Sequence, residues 1–126
     1  MPLTRVSLKK GKSPDQIRTI LSNIYEAMRE SFNVPENDYF MTVDQHDDAT
    51  FYFHPTYLDI QRSDGLVIIQ ITANNTRGVD QKKALYKAIA DRLSAHAGIR
   101  PEDVLINLVD VPKENWSFGN GLATYA

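Results

Sequence analysis

SPDQI, residues 13–17, returns 65 residues later as GVDQK, residues 78–82, with Asp15-Gln16 falling on Asp80-Gln81. The same shift carries Ile20, Ile24 and Met28 onto Leu85, Ile89 and Leu93, Val34 onto Ile99, and Asp38 onto Asp103. Past the aspartates, Tyr39, Met41 and Val43 meet Val104, Ile106 and Leu108, an alternation of period two that suits a strand with one buried face. One register accounts for every match. The chain therefore reads as a duplication, with pseudo-repeats at about 2–45 and 66–110 and a C-terminal segment at 111–126.

Each half has the order of a β-α-β unit. In the first, Leu3 to Leu8 is short and β-compatible. Ser13 is placed to cap a helix, Pro14 fits its first turn, and Gln16 completes a capping box. Ile17, Ile20, Leu21, Ile24 and Met28 then form one apolar stripe that ends near Phe32, and NVPEND turns the chain into a strand at 39–45. In the second half GLVIIQITA, residues 65–73, is a short β-branched apolar run of the kind buried at the centre of a sheet. A helix follows over about 79–96, stopped by Gly98 and Pro101, and a strand over 103–111. Right-handed crossovers then give an α+β, two-layer fold: a four-stranded mixed sheet with two helices on one face. The opposite sheet face is left bare, which predicts a homo-oligomer in which other copies cover it.

Composition narrows the function. The 126 residues are 42% hydrophobic and 24% charged, as in one ordinary domain able to bury roughly two thirds of its unfolded surface. A net charge of -2 gives no basic footprint for nucleic acid or an anionic membrane, so neither is expected as a partner. With no cysteine there is no disulfide, no thiolate nucleophile and no thiolate metal site. No apolar run approaches the roughly 18 residues of a membrane span or has signal-peptide form, and a cytoplasmic location is expected. His46 in DQHDD and His54 in FYFHPTY lack regular ligand spacing, so neither a metal nor another cofactor is expected. Arg62 reads equally as a turn or a pocket residue.

Two residues carry chemistry on their own terms. Pro2 follows the initiator Met1, whose removal would leave a secondary amine on a rigid ring. An α-amino group has a pKa near 8, and burial or a neighbouring cation lowers it further, so a neutral amine exists near pH 7. Such a base can take a proton from an enol hydroxyl, or from a carbon beside a carbonyl, and return it elsewhere. Arg77 lies in NNTRGVDQ between a strand end and a helix start, where helix N–H groups and a guanidinium suit a carboxylate. If the two halves run antiparallel, Pro2 comes to lie beside the strand end that leads to Arg77. An inert terminal proline and a solvated arginine are the plain alternatives.

Pro2, the duplicated plan, VPENDYFMTVDQH, GIRPEDVLINLVDV and above all ENWSFGNG resemble the tautomerase superfamily, in the branch containing malonate semialdehyde decarboxylase. The resemblance spans nearly the whole chain. It implies a homotrimer, Pro2 as the catalytic amine, Asp38 as its assistant or the activator of a water, and Trp116 and Phe118 as an aromatic pocket wall. Packing and turn roles remain the alternatives for these three, and Asp103 shares the place of Asp38. The chain also departs from the decarboxylase pattern. That pattern has two arginines separated by one residue, whereas Asn75 stands two positions before Arg77. Asn75 could orient a carbonyl through its amide, but one cation is missing. The resemblance thus implies keto–enol tautomerisation of a small 2-oxo acid, phenylpyruvate-like, as the leading activity. Decarboxylation of a 3-oxo acid such as malonate semialdehyde, or a non-enzymatic trimeric binding protein, are the alternatives.

Overall fold

The computed structural model describes residues 2–125; Met1, whose removal the sequence reading invokes, lies outside the described residues. Strand β1 (Leu3–Lys9) leads to helix α1 (Pro14–Phe32) and strand β2 (Phe40–His46). A loop with two short 3-10 turns follows. Strand β3 (Val67–Asn74), helix α2 (Val79–Ala97) and strand β4 (Val104–Val111) then repeat the first unit. The helices start and end 65 residues apart, the shift read from the sequence.

The ends of α1 are set locally. The Ser13 hydroxyl accepts from the Gln16 N–H at 3.2 Å, while the Gln16 side chain accepts from the Ser13 N–H at 2.8 Å. Asn33 closes the helix in the left-handed region at φ 54°. Its repeat partner α2 differs at the start: Gly78 is the N-cap and offers no side-chain hydrogen bond.

The sheet order is β2-β1-β3-β4, with β1 parallel to β2, β3 parallel to β4, and β1 antiparallel to β3 at the centre. Alternation sends Val6 and Leu8 of β1, and Val67, Ile69 and Ile71 of β3, to one face. There they join Ile20, Ile24 and Met28 of α1 and Leu85, Ile89 and Leu93 of α2 in a single buried cluster, so both helices cover the same side. Every apolar pair matched by the 65-residue shift up to Val34 and Ile99 lies in this core. On the other face Leu3, Phe40, Leu105 and Val109 remain exposed.

The two duplicated aspartates are both buried but differ in role. Asp103 accepts from the Ser63 N–H at 2.7 Å and from the Ser63 hydroxyl at 2.6 Å, and Arg100 lies 3.5 Å away. It ties the loop before β3 to the start of β4. Asp38 stands at the opposite end of the sheet.

Candidate active site

The candidate site lies where β1 and β2 begin and β3 and β4 end. Leu3 faces Thr72 across the antiparallel pair and Phe40 across the parallel one. One step back along both registers brings Pro2 beside Ala73 and Tyr39. Pro2 is buried there, next to the chain position that follows Asp38.

Asp38 is 8% exposed, and its charge acts on both Arg77 and the phenol of Tyr125, so the three groups share one electrostatic neighbourhood. Burial lowers the Arg77 pKa, opposed by the negative charges of Asp38 and Asp110. The guanidinium stays charged, as arginine does in proteins. It donates a hydrogen bond from Nη2 to the Phe32 carbonyl at 2.8 Å, and lies 4.8 Å from the centre of the Phe32 ring. A cation at the last residue of α1 also answers the negative end of that helix. This contact uses one of five guanidinium N–H donors. Arg77 is therefore oriented by the fold, two residues ahead of an α2 N-terminus whose cap makes no side-chain bond.

An aromatic wall stands beside these polar groups. Trp116 and Phe118 stack with ring centres 5.3 Å apart and planes 10° from parallel. Phe118 reaches Phe40 of β2 at 6.2 Å and meets Tyr125 edge-on at 5.3 Å. Burial first, and then the Asp38 charge, raises the Tyr125 pKa above its ordinary value. The Trp116 indole N–H donates to Oδ1 of Asn74 at 2.8 Å.

Other candidates settle elsewhere. Asn75 is exposed, and its backbone N–H donates to the Val111 carbonyl at 3.0 Å. Arg62 braces its own loop by donating to the carbonyls of Tyr57 and Ile60. His46 lies 3.1 Å from the Thr50 hydroxyl. Among the described residues, no three His, Asp or Glu side chains gather as they would around a metal ion. No described helix is long and apolar enough to cross a membrane. A cavity of about 650 Å³ runs outside α1 and β2, where it touches Tyr39 and Phe40 but is not lined by Pro2, Asp38 or Arg77.

The family model for tautomerase enzymes matches residues 38–119, from Asp38 through Arg77, Trp116 and Phe118. "Probable tautomerase YusQ" of Bacillus subtilis (strain 168) is 41% identical over 123 residues, 98% of this chain and 97% of that protein. The chain belongs to the tautomerase family. Among solved structures, malonate semialdehyde decarboxylase, determined in wild-type, mutant and inactivated forms, superposes with a TM-score of 0.92 at 33% identity. The match covers 98% of this chain and 95% of that one. A fused 4-OT solved as a symmetric trimer has the same fold, with a TM-score of 0.80 at 22% identity over 98% and 97% of the two chains.

Three residues of this tautomerase escaped the sequence reading. Asn74 was masked by its neighbour: β3 runs one residue past Ala73, so the buried amide is Asn74, and Asn75 begins the turn. A strand boundary read one residue late would have exposed it. Phe40 signals only that a strand begins. Tyr125, in a segment without periodicity, gives no signal at all.

Proposed function

We propose that this tautomerase interconverts the enol and keto forms of a small 2-oxo acid, with the free amine of Pro2 as general base. The observation that carries the reading is the pair of registers at Leu3, which sets Pro2 beside both the end of β3 and the start of β2. The malonate semialdehyde decarboxylase structure includes a mutant with its first-residue proline replaced by alanine, which supports attention to the same place here.

The neutral amine accepts the enol hydroxyl proton, the electron pair moves through the enolate toward the adjacent carbon, and the prolyl ammonium returns the proton to that carbon. Atoms and charge balance without a cofactor. Arg77 holds the carboxylate and favours the neutral amine by its charge; Asp38 offers a polar partner to the moving proton. Trp116 and Phe118 receive the apolar end of the substrate and exclude water, which strengthens the polar contacts. A base that works when unprotonated gives a rate that rises with pH, with a midpoint at or below about 8.

Decarboxylation of a 3-oxo acid is the second reading, favoured by 33% identity to malonate semialdehyde decarboxylase over nearly the whole chain. The single arginine near the end of β3 weighs against it. Assembly as a homotrimer is part of the same proposal, supported by the exposed apolar sheet face and by the trimeric fused 4-OT of like fold. Met-free protein offered the enol of phenylpyruvate and malonate semialdehyde in parallel separates the readings. Loss of enol absorbance faster than decarboxylation supports tautomerisation, and the reverse order overturns it in favour of the second reading.

A further inference from the structure

We infer that Asn74 is a positioning residue for the aromatic wall, holding Trp116, and through it Phe118, at the angle the substrate meets. The inference rests on the site proposed above but can fail independently of its chemistry.

Asparagine is a poor strand residue, and an amide kept at 8% exposure needs a polar partner to offset its lost hydration. Asn74 is nonetheless the last residue of β3, paired with Val111 of β4. Its Oδ1 accepts the indole N–H of Trp116 at 2.8 Å, across 42 positions of sequence. That bond has few rivals. After Val111 the chain passes through Pro112 and a 3-10 turn, and the segment's other hydrogen bonds among the described residues are local: Asn115 to Pro112, Trp116 to Lys113, Leu122 to Gly119.

The aromatic contacts alone leave the wall free to slide, because stacking between ring faces tolerates lateral offset. An N–H donor aimed at a fixed acceptor does not. The indole is therefore pinned by its one polar atom to the strand end that runs beside Pro2, and Phe118 follows through a stack only 10° from parallel. Asn74 thus transmits the position of the rigid sheet to a wall built on an otherwise irregular segment.

Trp116 is the only tryptophan, so its fluorescence reports this wall directly. In folded Asn74→Leu, acrylamide quenching should rise at least twofold, and kcat/KM for an aromatic enol should fall about tenfold, mostly through KM. In a Trp116→Phe background, which has no indole N–H, Asn74→Leu should cost nothing further. Asn74→Ala replaces the leucine variant if that one does not fold. Unchanged quenching in a folded variant, or an equal further loss in the Trp116→Phe background, overturns the inference. If the wild-type protein converts no enol, the proposed reaction fails while the quenching comparison still decides the role of Asn74.

Discussion

Arg77 serves two demands at once: it closes α1 through the Phe32 carbonyl, and its guanidinium lies within the electrostatic reach of Asp38. Its replacement should therefore affect binding more than chemistry. Arg77→Ala is expected to raise KM for a carboxylate-bearing enol at least tenfold, while a neutral enol changes far less, as loss of an anion contact requires. Equal effects on both substrates would remove Arg77 from the carboxylate site. Asp38→Asn keeps the shape and removes the charge; kcat should fall by about 10²-fold with Tm nearly unchanged. An unaltered kcat would make Asp38 a turn residue only. The residue scale is also where the sequence was least legible. Asn75 and Asn74 differ by one position, and one extra residue of β3 decides which amide is buried. No pattern of hydropathy specifies a strand end to that accuracy.

The two β-α-β units were legible because their burial is periodic. Ile20, Ile24 and Met28 recur at helical spacing and all lie in the core, as do their mates Leu85, Ile89 and Leu93. The loop between the units was not legible. Leu58 and Asp59 both adopt left-handed backbone there, at φ 61° and 58°, and the segment is braced by Arg62 and by Lys9, which bridges Asp48 and Asp64. Such contacts are tertiary and leave no local pattern. Duplication also lets one element test another. Asp103 holds the place of Asp38 but is bound by Ser63, so Asp103→Ala strands a half-buried N–H and hydroxyl and should cost about 2 kcal/mol of stability. For a domain of this size that is a Tm lower by roughly 8 °C, measured by calorimetry, with kcat retained. A larger effect on kcat than on Tm would mean that the two ends of the sheet are not separate in function.

For the whole molecule, Leu3, Phe40, Leu105 and Val109 on the face away from the helices call for covering by other copies. Light scattering at micromolar concentration should give about three times 14.3 kDa. A monomer there would leave the exposed face unexplained. The meeting of Pro2 with the end of β3 was legible at this scale alone, since it follows from antiparallel pairing of the two halves and from no residue near Pro2 itself. The chemistry proposed for Pro2 depends on one covalent fact. While Met1 is attached, the Pro2 nitrogen is an amide whose lone pair is delocalised, and it cannot act as a base near neutral pH. The decisive measurement is the rate of enol conversion by two preparations, each shown homogeneous by intact mass, one retaining Met1 and one lacking it. The Met-free protein should convert the enol and the Met-bearing protein should not; full activity in a homogeneous Met-bearing sample would contradict the Pro2 mechanism.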